Sequence, residues 1–97
     1  ARKIAALADA FQRPVAPHDC RGPVVFAASL HLALATPNCV FQESVRAYYR
    51  GWYADVVEGL PLPEDGVFAP PAAAGHGVRL AERFLARGDL ERRISAA

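Results

Sequence analysis

The chain has 97 residues, 53% of them hydrophobic and 22% charged, with a formal net charge of +1. That length admits one domain with a small core, and that composition excludes wholesale disorder. The basic residues stand singly or in pairs such as Arg92-Arg93, which excludes a nucleic-acid surface, and the longest apolar run, Val24 to Ala35, is too short to cross a bilayer.

The residues Ala1-Arg2-Lys3-Ile4 enter a helical pattern with no capping residue, and no Met occurs anywhere, so the sequence reads as a portion of something longer. Ile4, Leu7, Ala8 and Phe11 recur at helical spacing, predicting an amphipathic helix over the first twelve residues that Arg13-Pro14 stops. Val15-Ala16 reads as a very short buried strand and Asp19 to Gly22 as a loop. Gly22-Pro23 then caps a helix, apolar on nearly every face, that runs to Thr36-Pro37-Asn38. Cys39 to Gln42 reads as a second short strand. Ser44 to Val57, rich in aromatics, is expected to be a helical excursion. A turn-rich break follows from Leu60 to Gly66, then an edge strand at Val67-Phe68 and an irregular loop from Pro70 to Gly77. A helical period occupies Leu80 to Ala86, and a polar, frayed tail ends the chain from Gly88 to Ala97.

The organising stretch is Pro14 to Glu43. Two short apolar pieces, each ending in a proton-handling residue, flank one helix-length segment, which is the layout of a parallel strand–helix–strand crossover. Such a crossover brings His18 and Glu43 to the same rim of one sheet, the carboxyl-terminal rim where ligands bind in α/β folds. Two strands this short do not make a stable parallel sheet alone, because such sheets need cover on both faces. The pieces therefore read as part of a larger barrel, with apolar surface on the Pro23–Ala35 helix left to associate.

The ordered blocks Pro14-Val15-Ala16-Pro17-His18-Asp19-Cys20, Gly22-Pro23-Val24, His31-Leu32, Pro37-Asn38 and Gln42-Glu43 closely resemble the end of the barrel in the mandelate racemase/muconate lactonizing enzyme family of the enolase superfamily. Within it, acid-sugar dehydratases of the galactonate dehydratase type are the nearest match. Gly51-Trp52-Tyr53, Leu60-Pro61, Asp65-Gly66 and Pro70-Pro71 resemble the carboxyl-terminal segment of those enzymes. The resemblance implies an α/β fold, the carboxyl-terminal fragment of a modified (β/α)8 barrel. Residues 1–60 would be the last barrel units, and 61–97 an extension toward a capping domain.

It also implies a Mg²⁺-dependent lyase that abstracts the proton α to a carboxylate, passes through an enediolate and eliminates water from a sugar acid. By that resemblance His18 is the acid/base histidine, partnered by an aspartate on the strand before it that is expected upstream of Ala1, and Glu43 is the rim acid that assists it. The metal ligands are expected upstream of Ala1, so the isolated chain is expected to be inactive. Racemisation or cycloisomerisation by the same family, and a non-catalytic remnant serving oligomerisation, stay open as alternatives. Where family members carry a Pro-Gly-Leu-Gly turn, this chain has Ala74-Gly75-His76-Gly77.

The expected partners are a small-molecule sugar acid, the remaining barrel and capping domain, and further copies of the chain; nucleic acid and membrane are not expected. Cys20 and Cys39 lack the paired spacing of a metal or redox site, and with no secretory or lipidation signature they read as reduced thiols of a cytoplasmic protein. His31 reads as a satisfied core histidine, His76 as a loop residue, and Tyr48, Tyr49, Trp52 and Tyr53 as packing residues.

Overall fold

The structure is a computed structural model that describes residues 1–95; the last two residues of the expected polar tail lie outside the described residues. Helix α1 spans Arg2–Ala10 and, as its sequence implies, begins without a side-chain cap at Ala1. Its end is better defined than an X–Pro stop. Gln12 takes a left-handed φ of 53°, and the amides of Gln12 and Arg13 return to the carbonyls of Asp9 and Ala8 at 2.8 Å each. These two bonds satisfy carbonyls the helix end would otherwise leave unpaired, in a Schellman arrangement. Only Ala5 of α1 is buried, and the predicted apolar face of Ile4, Leu7 and Phe11 lies exposed.

Helix α2, Pro23–Leu34, starts where Gly22-Pro23 predicts: Gly22 holds φ 144°, and Pro23 sits at the helix start without losing a bond. The segments on either side of α2 run parallel, but they pair only at two isolated points, Val15 with Cys39 and His18 with Glu43. Full strands over Val15-Ala16 and Cys39–Gln42 do not form. Pro14 and Pro17 lack amide hydrogens, which removes donors from the first segment. The register slips as well: three steps from Val15 to His18 match four from Cys39 to Glu43, the signature of a bulge.

The Ser44–Val57 excursion is two single turns, α3 at Arg46–Tyr49 and α4 at Tyr53–Val56, broken at Gly51. A Cβ on Gly51 would lie 2.5 Å from the Ala47 carbonyl oxygen, so only glycine permits this turn. Val57 then leaves the helix. Strand β1, Val57–Glu58, pairs antiparallel with β2, Arg79–Leu80, in the register Val57 to Leu80 and Glu58 to Arg79. Leu80 thus belongs to a strand, and the expected helix from Leu80 shrinks to α5, Glu82–Leu85. The reason is burial: Val57 and Ala81 are inside, and Ala81 donates its amide to Val56 at 2.9 Å, so the pairing carries both into the core. The expected edge strand at Val67-Phe68 reduces to a tight hairpin. Val67 bridges Glu64 around Asp65 and Gly66, both at positive φ, and Phe68 turns inward.

The core lies on one side of α2. Phe26, Leu30 and Tyr53 are buried together, packed by Tyr48, Tyr49, Leu60 and Phe68, and Ala27 meets Val57 and Val78 beside them. The Phe26 ring stacks on Tyr49 at 5.8 Å and meets Phe68 edge-on at 5.4 Å, geometries that favour aromatic pairs beyond simple burial. The aromatics after Glu43 therefore pack, as expected, and they cover the helix that the crossover needs.

Phe26→Ala should lower stability by about 3–5 kcal/mol, enough to abolish a cooperative urea transition, while Val25→Ala on the exposed side should cost under about 1 kcal/mol. Equal midpoints for the two variants would contradict this assignment of the core. Gly77 (φ 82°) sits where a Cβ would come 2.5 Å from the Pro71 side chain, whereas Gly75 (φ 68°) faces open space. Gly77→Ala should therefore shift the urea midpoint further than Gly75→Ala, whose cost is the left-handed backbone alone, about 1–2 kcal/mol.

Candidate functional site

Four backbone hydrogen bonds build the rim. Val15 donates to Asn38 at 2.9 Å and accepts from Val40 at 3.1 Å; Asp19 donates to Glu43 at 3.0 Å, and Glu43 donates to Pro17 at 2.9 Å. The Gln42 carboxamide reinforces the second pair, its Nε2 donating to the carbonyls of Pro17 at 3.0 Å and Glu43 at 2.8 Å. Asn38 does the same lower down, donating from Nδ2 to Ala5 at 3.1 Å and Arg13 at 2.9 Å, which ties α1 to the parallel pair. Each side-chain amide thus adds two bonds to carbonyls around the parallel pair.

The two predicted site residues are brought together. His18 Nδ1 lies 3.2 Å from Glu43 Oε2, with the side chains 51% and 59% exposed. So exposed a pair stabilises the fold by under about 1 kcal/mol, and its importance is positional. With Nδ1 facing a carboxylate, Nε2 is the nitrogen free to exchange a proton with a bound molecule. The resemblance puts the histidine's aspartate partner upstream of Ala1; within this chain the carboxylate meeting Nδ1 is that of Glu43.

Directly behind His18, Asp19 is 1% exposed and Tyr53 fully buried. The Tyr53 hydroxyl donates to Asp19 Oδ2 at 2.9 Å, and the Arg21 amide approaches Oδ1 at 3.4 Å. Burial first, and then the bond to Asp19, push the Tyr53 phenol well above its usual range. From the sequence Asp19 reads as the start of a loop and Tyr53 as a packing residue. A lone acid between a rim histidine and a capping glycine was the available signal for the first. Nothing local marks the second, which lies 34 positions away.

The other candidates are scattered. Cys20 is exposed and Cys39 half-buried, both free thiols, with Cys39 Sγ against the Phe41 carbonyl at 3.6 Å. His31 is half-buried, and its Nε2 is enclosed without a hydrogen-bond partner, so it is not the satisfied histidine its helix suggested. His76 accepts from the Val78 amide at 3.4 Å, a local loop contact. Among the described residues, no three His, Cys, Asp or Glu side chains gather into a group able to hold a metal ion. No described helix is long and apolar enough to cross a membrane.

Residues 1–84 match the family described as enolase C-terminal domain-like. The chain is 39% identical over 79 residues to D-xylonate dehydratase of Haloferax volcanii, covering 81% of this chain and 19% of that protein. It is 37% identical over 84 residues to D-gluconate dehydratase of Thermoproteus tenax, covering 86% of this chain and 17% of that one. D-galactonate dehydratase of Cronobacter sakazakii is 34% identical over 85 residues, with coverages of 82% and 22%. The chain thus spans about a fifth of the length of the curated relatives it matches.

Among solved structures, an enolase of the mandelate racemase subgroup from Agrobacterium tumefaciens superposes with a TM-score of 0.78 at 49% identity, over 87% of this chain and 23% of that one. A mandelate racemase/muconate lactonizing enzyme from Jannaschia sp. gives 0.76 at 37% identity, over 86% and 21%. Sequence and fold agree, and the parallel crossover with its rim histidine and glutamate is part of a barrel domain: the chain belongs to the mandelate racemase/muconate lactonizing enzyme family of the enolase superfamily.

Proposed function

We propose that this chain is the carboxyl-terminal portion of an acid-sugar dehydratase, a cytoplasmic lyase that removes water from an aldonate- or aldarate-like acid. In this reading residues 1–60 are the last units of its barrel, and residues 61–97 extend toward a capping domain. The exposed apolar residues Ile4, Leu7, Phe11, Val24 and Val25 are those the rest of the barrel, or another copy, would cover. The observation that carries the reading is the 3.2 Å approach of His18 Nδ1 to Glu43 Oε2 at the ends of adjacent parallel segments, in a chain whose relatives include three sugar-acid dehydratases.

The chemistry needs a group that takes the proton from the carbon α to the carboxylate and a group that gives a proton to the departing β-hydroxyl. The C–H electron pair forms the new double bond as the C–O bond breaks and water leaves. An imidazole can take the α-proton as a base or give the β-hydroxyl its proton as an acid, and His18 is assigned one of these two transfers. Glu43 meets the ring at Nδ1, which orients it and leaves Nε2 for that transfer.

The Mg²⁺ that the resemblance implies finds no ligand set among the described residues, and the steps assigned to His18 and Glu43 do not run through it. A racemase or cycloisomerase would share the first proton transfer, a reading that the Jannaschia neighbour's name keeps in view. Racemisation also needs a second base on the opposite face of the substrate.

The isolated chain, supplied with Mg²⁺ and a panel of sugar acids, should show no turnover above background. Residues 1–84 placed in the matching stretch of the Haloferax volcanii enzyme should restore release of the dehydrated 2-keto acid. His18→Asn in that chimera should cut kcat by about 10²–10⁴-fold, with Glu43→Gln a smaller loss in the same direction. Full activity of the His18→Asn chimera would remove His18 from the chemistry. Exchange of the substrate α-proton in D₂O without water loss would favour the racemase reading.

A further inference from the structure

The His18–Glu43 contact needs something to hold it. Both side chains are half exposed, and a surface ion pair does not fix its own partners. The backbone beneath them is weakly tied, two isolated bridges separated by a bulge. Immediately behind His18, however, the structure carries a buried polar bond that the packing does not require. Asp19 is 1% exposed and Tyr53 fully buried, and the phenol donates to the carboxylate at 2.9 Å.

A buried carboxylate held by one hydroxyl and one distant amide costs more than an apolar pair of the same shape would. Its backbone explains its place. The Asp19 amide donates to the Glu43 carbonyl, so Asp19 belongs to the bond pair that sets His18 opposite Glu43. Tyr53 comes from the segment after Glu43, and its ring is locked against Phe26 and Leu30. The Tyr53 hydroxyl thus anchors the loop after His18 to the rigid core.

We propose that Asp19 and Tyr53 are positioning residues that hold His18 in register with Glu43 through this buried hydrogen bond; the proposal rests on reading His18 and Glu43 as the acid/base pair. Neither touches substrate. The bond sets where His18 stands along the pair, and Glu43, kept opposite it, then meets Nδ1.

The test is made by NMR on the ¹⁵N-labelled 97-residue chain and reads geometry, so failure of the dehydratase assay leaves it intact. Tyr53→Phe keeps the ring packing and deletes the hydroxyl. The Asp19 and Glu43 amides should then exchange with solvent about tenfold faster, while the Leu30 amide inside α2 stays within about twofold. The imidazole ¹⁵N shifts of His18 should also lose their preference for a proton on Nδ1. Asp19→Asn keeps an acceptor for the Tyr53 hydroxyl and should preserve the Asp19-site and Glu43 protections and the His18 signature.

Equal acceleration at Leu30 and Asp19 would mean that Tyr53→Phe acts only through global stability, and would overturn the proposal. So would an unchanged His18 signature in Tyr53→Phe, or an Asp19→Asn variant that behaves like it.

Discussion

Everything at the candidate site hangs on one crossover. The four backbone bonds between the segments flanking α2 fix a parallel direction, and direction places His18 and Glu43 at one end of the pair. An antiparallel pairing of the same residues would put the two side chains at opposite ends. The crossover is in turn only as firm as α2, whose buried Phe26, Ala27 and Leu30 pack against hydrophobic residues of the chain that follows Glu43. The segment that contributes no proposed acid or base is therefore the one that fixes the acid and base in place.

The short pairing has a chemical cause. Pro14 and Pro17 bracket the first segment, and a proline contributes a carbonyl but no donor. Side chains add to the short pairing: the Gln42 amide donates to the Pro17 and Glu43 carbonyls at the rim, and the Asn38 amide to Ala5 and Arg13 at the other end. One carboxamide that reaches two acceptors pins two pieces of chain at once. At Gln42 this leaves Oε1 enclosed and without a partner, an asymmetry accepted because both acceptors it serves are carbonyls at the site.

The crossover was legible because its signals are local. A Pro–Gly punctuation, a helix-length apolar run and a second break give the spacing, and the spacing gives the shared rim. The same reasoning located α1 and the start of α2, where one residue type has one backbone consequence. It failed after Glu43, where tertiary contacts overrule local pattern. Val57 and Leu80 each fit a helical period, yet they pair as strands because that pairing buries Val57 against Ala27 of α2 and takes Ala81 inside. The strands beside α2 were overestimated for a related reason: apolar character was visible, but the one-residue slip between Val15–Cys39 and His18–Glu43 has no sequence mark. The Asp19–Tyr53 bond was invisible for the plainest reason, since its partners meet only after the fold has formed.

The exposed faces and the buried acid bear on each other. Ile4, Leu7 and Phe11 lie open on α1, and Val24, Val25 and Leu34 are exposed on α2, so both long helices keep apolar surface uncovered. A chain with so much apolar area to spare had apolar options for the space that Asp19 and Tyr53 occupy. Burying a carboxylate there forfeits stability in the part of the molecule with the least core to lose. Packing favours the apolar choice, so the polar choice points to a requirement that packing does not express. A phenol and a carboxylate meet at one distance and one angle, whereas apolar groups slide. Immediately behind an exposed histidine whose usefulness depends on where its ring stands, that directional constraint is what the polar pair supplies.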